Sequence, residues 1–464
     1  MRYISTRSGS GSEAPPIGFL GAVLAGLAPD GGLYVPEVWP TFTASEIGEF
    51  AGKPYAEVAA AVLGKFAGEE IDPAALLAMC EEAYATFDHA AVTPVKQLSP
   101  SLFLLELFHG PTLAFKDVAM QLLGRLYDHA LGRQGRTMTI IAATSGDTGG
   151  AAVEAFRGRS NARIVVLFPE GRISEVQRRF MTCADDANVR CVAVEGTFDD
   201  CQSIVKAAFQ DDQFRRAVDL SGVNSINFAR IAAQVVYYFT AGVALGAPQR
   251  SVSFAVPTGN FGDAFAGYVA SRMGLPIESI LVATNSNDIM ARAFEEGRYA
   301  RGEVAFTQSP AMDIQIASNF ERLYFEAVGR DGVETARAFD EFARLGTLEI
   351  EESALGQMRA LFSGASVSEA ETAATIRAIR EETGELIDPH TAVAVTAARR
   401  LETPMIALST AHPAKFPEAV ALAAGAIPTA PPHAKALAAR PERFDRLPAD
   451  GQAVKAYIRE FARA

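Results

Sequence analysis

Cysteine is scarce in this chain and badly placed for metal chemistry. The four cysteines, Cys80, Cys183, Cys191 and Cys201, form no CxxC pair and no CxxH spacing, which excludes the usual cysteine-based zinc patterns. They read as reduced thiols packed as small apolar groups. No stretch approaches about twenty consecutive apolar residues, so no membrane-spanning helix is expected. The opening MRYISTRSGSGSEAPP has no apolar signal-peptide core, and the cytoplasm is the expected compartment. Positive charge is in deficit: 42 Lys and Arg face 55 Asp and Glu, a net charge of -13 and a pI near 5.1. That disfavours a nucleic-acid partner, which needs a basic face to neutralise phosphates. Small anionic substrates stay open, because a few local cations decide those. Two phosphate signatures are missing as well, GxxxxGK[ST] and GxGxxG, which argues against Walker-type and dinucleotide sites.

What is present is the balance of an ordinary globular protein, 49% hydrophobic and 21% charged residues over 464 positions. That length exceeds one core and predicts two or three domains. Residues 1–95 read as a separate extension. A turn at Pro29-Asp30-Gly31-Gly32 leads to Leu-Tyr-Val-Pro, and an Ala- and Glu-rich helical pattern runs from about Ala44 to Thr86. From about residue 100, β-rich runs end in glycine-bearing or polar loops that open helices. Thr137–Ala143 enters TSGDTGG, Arg163–Phe168 enters PEGRISEVQ, Val252–Val256 enters PTGNFGD, and Met405–Leu408 enters STAHPAKF. This alternation predicts parallel, doubly wound α/β units with ligands at the carboxyl ends of the strands. The expected units are 96–248 and 249–464, and the tail after about Pro428 reads as a helical, polar appendage.

Lys116 opens a helix in which Val118, Leu122, Leu126 and Ala130 recur every four positions. The apolar run Leu102–Phe108 and the turn His109-Gly110-Pro111-Thr112 precede it. A lysine between a buried strand and a helix start is desolvated, which lowers its proton affinity and suits it to attack a carbonyl or act as a base. The plainer alternative is a surface lysine lying along an apolar wall.

Pro257-Thr258-Gly259-Asn260-Phe261-Gly262-Asp263 joins a predicted strand to a predicted helix, so successive N–H groups can converge on an anion. A plain turn is the alternative. Thr410 follows the strand Met405–Leu408, where its hydroxyl could meet a ring nitrogen or cap a helix. Thr144-Ser145-Gly146-Asp147-Thr148-Gly149 offers hydroxyls and exposed N–H groups to a carboxylate, or simply caps its helix.

The segment LELFHGPTLAFKD at 105–117 closely resembles the cofactor-bearing lysine segment of threonine synthases of the bacterial and fungal type. The likeness extends through YISTR (3–7), PDGGLYVPE (29–37), SGDTG (145–149) and GTFDDCQ (196–202). It continues in NSINFARIAAQ (224–234), GNFGD (259–263), NSNDI (285–289), SPAMDIQIASNFER (309–322), DPHTAVA (388–394) and TAHPAKF (410–416). Ordered segments across nearly the whole chain are much harder to match by chance than one loop.

The resemblance implies a pyridoxal 5'-phosphate enzyme of fold type II, tryptophan synthase β-like. That means two open, twisted, parallel-rich sheets flanked by helices, with an N-terminal helical extension. It implies Lys116 as the catalytic, cofactor-bearing residue. Gly259, Asn260, Phe261, Gly262 and Asp263 would contact the cofactor phosphate and Thr410 its pyridine nitrogen. Thr144, Ser145, Gly146, Asp147 and Thr148 would form the substrate loop. The implied reaction turns O-phospho-L-homoserine and water into L-threonine and phosphate, the last step of threonine biosynthesis, in a monomer or homodimer. Lys415 and Arg230 are candidates for the substrate phosphate, with ordinary salt-bridge roles the equal alternative, and His109, His390 and His412 are expected to be structural. The nearest rival is a threonine-synthase-like phospho-lyase with the same cofactor, yielding a keto acid and ammonia. A cofactor-free binding protein on the same scaffold is disfavoured by the joint presence of Lys116, the glycine loop and Thr410.

Overall fold

Strand VSFAVP, Val252–Pro257, buries every residue, as a parallel strand covered on both faces must. It sits inside a six-stranded sheet whose order is Phe362–Ser366, Ile277–Thr284, Val252–Pro257, Met405–Ser409, Leu102–Glu106 and Val95–Ser99. All neighbours are parallel except the last pair, which is antiparallel. A second, five-stranded sheet runs Asp445–Pro448, Val189–Glu195, Ala162–Pro169, Met138–Ala143 and Leu220–Gly222, parallel throughout. In this computed structural model residues 1–9, 14–144 and 146–463 are described.

Each sheet draws on distant parts of the chain. Strands 95–106 belong with residues 252–409, and strand 445–448 with residues 138–222, so sheet membership cuts across the contiguous stretches 96–248 and 249–464. Helix Phe228–Ala244 lies between the units and is buried along nearly its whole length. It packs against helices Lys116–Gln134, Gly262–Arg272 and Tyr55–Ala67. An apolar helix of this kind is a core element and not a surface one.

The helical pattern expected from Ala44 to Thr86 resolves into three helices, Ala44–Gly48, Tyr55–Ala67 and Pro73–Tyr84. Pro54 and Pro73 cannot continue a helix from the preceding turn and restart it instead. Asp72 caps the third, accepting from the amides of Ala74 and Ala75 at 3.0 and 3.1 Å. The extension is fastened by Arg322, whose fully buried guanidinium donates to the carbonyls of Tyr34 (3.1 Å) and Ile226 (2.6 Å) and to Asn319.

The tail departs from the expected polar appendage. After strand Asp445–Pro448, helix Gly451–Arg463 buries Val454, Ile458 and Phe461 against Cys201, Ile204 and Phe214. Its three apolar positions share one face, a signal diluted by the charged residues around them. Among the described residues no helix is long and apolar enough to cross a membrane, and all four cysteines are buried and unpaired.

Because Ile458 is a core residue and not part of a loose tail, Ile458→Ala should destabilise the protein by about 2–5 kcal/mol. The urea unfolding midpoint measures this, and an unchanged midpoint would return the tail to the status of an appendage.

Candidate active site

The Lys116 and Thr410 segments are zipped together by backbone hydrogen bonds. Phe115 N donates to Thr410 O at 2.8 Å, His412 N to Leu113 O at 3.0 Å, and Ala114 bridges Ala411. A residue at the end of one strand therefore faces the lysine that opens a helix more than a hundred positions away. Asp117 locks the turn from the helix side, accepting from Thr112 N at 2.8 Å and Thr112 Oγ1 at 2.7 Å. Burial pushes its carboxyl up to about 6.

Helix Lys116–Gln134 packs closely on helix Asp147–Phe156. A Cβ on Gly124 would lie 2.2 Å from the carbonyl oxygen of Ala155, so only glycine admits that approach. The two helix starts are thereby set side by side, and Lys116 Nζ stands 3.6 Å from Asp147 Oδ2. Asp147 Oδ1 takes Lys415 Nζ at 3.0 Å and Gln177 Nε2 at 2.9 Å. Burial alone would raise the Asp147 carboxyl, but the Lys415 and Lys116 ammoniums and the Gln177 amide outweigh it. They hold the group well below the usual carboxylate range. Burial also pulls the Lys116 ammonium below its ordinary value, against Asp147 and with help from Lys415 and Arg230.

Lys116, Asp147 and Arg230 border a cavity of about 350 Å³, within the size range of small-ligand sites. Its walls come from strand ends of both sheets, Ala143 from one and Pro257 and Thr410 from the other. That is where parallel α/β sheets bind ligands. Thr258, Gly259, Asn260, Phe261, Gly262 and Asp263 line it. The Phe261 ring is turned into the core among Phe294, Phe320 and Phe362, so this residue can offer the cavity only its backbone. Asn260 is pinned, its carbonyl accepting from Asn319 N and Nδ2, both at 3.1 Å. The Asp263 carboxylate is held by the hydroxyls of Tyr237 and Tyr238, the latter at 3.1 Å, while its Oδ2 has no partner among the described residues. Burial raises the group to about 7, against the two hydroxyls.

In the other loop, Thr144 Oγ1 accepts from Gly146 N (2.9 Å) and Gly149 N (3.0 Å), so its hydroxyl is occupied in shaping the loop. Gly146 turns at φ 144°, Thr148 and Asp147 line the cavity, and Ser145 lies outside the described residues. The two cation candidates separate. Lys415, 1% exposed, is committed to Asp147 and to Thr112 O at 2.7 Å. Arg230 lines the cavity, and among the described residues its side chain makes no hydrogen bond or ion pair, with Nε buried and unpartnered. Burial lowers its guanidinium to about 10.

All three histidines make structural contacts. His109 meets Glu106 at 2.8 Å, His412 Nδ1 accepts from Ala414 N, and His390 lies between Asp388 at 2.6 Å and Ala311 N. Gln177, Gln234, Ser318 and the Tyr237-Tyr238 pair are site or supporting residues that the sequence did not single out. Gln177 reaches Asp147 only through the packing of helix Glu175–Thr182, which leaves no spacing signal.

Residues 2–84 match the family model described as threonine synthase N terminus. Residues 87–363 match that of pyridoxal-phosphate-dependent enzymes, and residues 391–458 that of the threonine synthase C-terminal region. The chain is 49% identical over 463 residues to threonine synthase of Pseudomonas aeruginosa, covering 99% of this chain and 98% of that one. The crystal structure of a pyridoxal-phosphate-bound threonine synthase from Brucella melitensis superposes with a TM-score of 0.97 at 54% identity over 100% of both chains. The yeast threonine synthase structure follows at 0.94 and 38%, covering 99% and 98%. The chain belongs to the threonine synthase family.

The cofactor is pyridoxal 5'-phosphate and the fold is type II, as the sequence predicted. The cavity of this threonine synthase relative fits that group on its own residues. It holds one desolvated amine, one buried guanidinium without an anion, and a Thr410 hydroxyl that makes no hydrogen bond among the described residues. Among the described residues no cluster of His, Cys, Asp and Glu could hold a metal ion.

A Cβ on Gly259 would fall 2.8 Å from Ala311 O, so Gly259→Ala must displace the loop. Cofactor affinity should fall by about tenfold or more, roughly 1.4 kcal/mol, with the fold intact; absorbance titration with pyridoxal phosphate measures it. A second outcome concerns pH. The folded-state value of Asp263 lies above the ordinary 3.8, so the folded protein keeps a proton that the unfolded chain has released. Asp263 therefore weakens the fold progressively as pH rises from about 4 to about 7. Asp263→Asn should gain stability relative to the parent over that window, on the order of 4 kcal/mol. Urea unfolding at acid and at mildly alkaline pH gives the comparison, and a constant difference would contradict the assignment.

Proposed function

We propose that the protein catalyses the conversion of O-phospho-L-homoserine and water to L-threonine and phosphate, the last step of threonine biosynthesis, as a cytoplasmic monomer or homodimer. The observation that carries this reading is the convergence on one cavity of Lys116 with an Arg230 guanidinium and a Thr410 hydroxyl that have no partner among the described residues. Lys116 bears the cofactor. Backbone N–H groups of Gly259, Asn260, Phe261 and Gly262 cradle its phosphate from the start of helix Gly262–Arg272, with Asp263 supporting the loop from behind. Thr410 faces the pyridine nitrogen, and a neutral hydroxyl there leaves that nitrogen less than fully protonated. The loop of Thr144, Ser145, Gly146, Asp147 and Thr148 receives the substrate carboxylate. Arg230 is the cation for a phosphate, since Lys415 is already paired.

Bound pyridoxal phosphate supplies an electron sink for charge developing on the substrate carbons. The chain's own task is proton handling. The Lys116 amine takes the proton from Cα and, once it has given that proton up, takes one from Cβ. Phosphate leaves Cγ, Cγ receives a proton, water adds at Cβ, and Cα is reprotonated. One lysine serving several positions is consistent with three histidines that all have structural partners.

Incubation with O-phospho-L-homoserine, with phosphate, threonine and 2-oxobutyrate quantified together, tests the assignment. Equal phosphate and threonine is the expected result. Phosphate matched by 2-oxobutyrate and ammonia would overturn it in favour of a phospho-lyase, a partition that about 1.4 kcal/mol shifts tenfold.

A further inference from the structure

Lys415 is a buried ammonium with no direct part in the chemistry set out above. Its side chain is 1% exposed, lies 5.6 Å from the Phe180 ring centroid, and donates to Thr112 O at 2.7 Å and Asp147 Oδ1 at 3.0 Å. Asp147 is the link to the active lysine. Its Oδ1 is occupied by Lys415 and Gln177, while its Oδ2 faces Lys116 Nζ at 3.6 Å, too far for a good hydrogen bond.

The three charges can be counted in the two protonation states of Lys116. With Lys415 present, the buried group of Lys415, Asp147 and Lys116 carries no net charge only when Lys116 is a neutral amine. Without Lys415, the remaining pair is uncharged only when Lys116 is protonated. A low-dielectric site favours whichever state leaves no net charge. We propose that Lys415 is a positioning residue that occupies Asp147 and so keeps the Lys116 amine neutral, ready to attack the cofactor aldehyde and to accept protons. This rests on the reading of Lys116 as the cofactor-bearing residue.

The other charged groups near Lys116, or on elements packed against its helix, do not supply that balance. Arg230, from helix Phe228–Ala244, adds positive charge on the same side as Lys415. Asp117, on the lysine's own helix, is turned to Thr112. Glu154, on helix Asp147–Phe156, is held by Arg157 at 3.0 Å. Glu82, on helix Pro73–Tyr84, pairs with Arg125 and Arg159, and His390 is engaged by Asp388 and Ala311.

The test is the rate of cofactor capture by the full chain freed of pyridoxal phosphate, followed through its visible absorption as a function of pH. Lys415→Met should move the midpoint of that profile upward by about one unit, so capture near neutrality slows about tenfold and recovers in alkali. Lys415→Arg should restore the parent midpoint, and Asp147→Asn should move it downward. The double variant Asp147→Asn/Lys415→Met should lie between the two single variants, the mark of a coupled pair. A purely structural Lys415 would lower capture at every pH with an unmoved midpoint, and that result overturns the proposal. So does an Asp147→Asn midpoint that stays put or rises, a measurement available even if Lys415→Met fails to fold. Lys116→Ala separates the underlying reading: capture that persists in that variant removes Lys116 as the cofactor's residue, and the proposal with it.

Discussion

A carboxylate buried between two helix starts sets the terms for this structure. Asp147 cannot be left alone in a low-dielectric interior, because a buried charge stripped of its partner costs about 3–5 kcal/mol. Lys415, Gln177 and Lys116 answer that demand from three separate segments. Segments bearing one salt bridge each would gain little from it at a surface. Here the same contacts fix where the amine of Lys116 stands and which proton state it prefers.

Holding that arrangement brings strand ends of both sheets to one cavity. The Thr410 segment leaves the six-stranded sheet and pairs with the residues before Lys116. Helix Lys116–Gln134 then carries the lysine against helix Asp147–Phe156, whose preceding strand belongs to the five-stranded sheet. Helix Phe228–Ala244 fills the space between and brings Arg230 to the cavity wall. Its buried guanidinium is the complement of Asp147: one charge is fully paired by protein, the other has no side-chain partner among the described residues. Arg322 ties Tyr34, Ile226 and Asn319 together, beside the Arg7–Glu321 pair and the Arg330 contacts to Pro36 and Glu37, and Asn319 in turn holds the carbonyl of Asn260.

Much of this was legible in the residues. Apolar runs such as VSFAV and RIVVLF, each ending at a glycine-bearing or polar loop, announced parallel strands followed by helices. Lys116 was marked by the strand before it and the apolar spacing behind it. The tail misled, because three apolar side chains on one face of Gly451–Arg463 are masked by charged neighbours in the linear sequence. The stretch Ala44–Thr86 misled less, since helix type was evident and only the breaks at Pro54 and Pro73 were missed. Lys415 and Arg230 could not be ranked at all: both are basic residues in segments similar to the family's, and nothing local says which is already paired.

By itself, then, the sequence determined the alternation of strands and helices and the loops that carry polar groups to strand ends, and through the resemblance of its ordered segments it implied the family and the cofactor. The first two depend on residue type and short-range spacing, which a linear chain displays directly. The tertiary structure decided which loops face one another, that the Phe261 ring points into the core, that Thr144 is spent on its own loop, and that Lys415 is paired while Arg230 is not. Each of these depends on desolvation and on partners more than twenty positions away or on a specific backbone turn. Burial and pairing of charge are properties of the packed interior, and they come into being only when distant segments close around the same cavity.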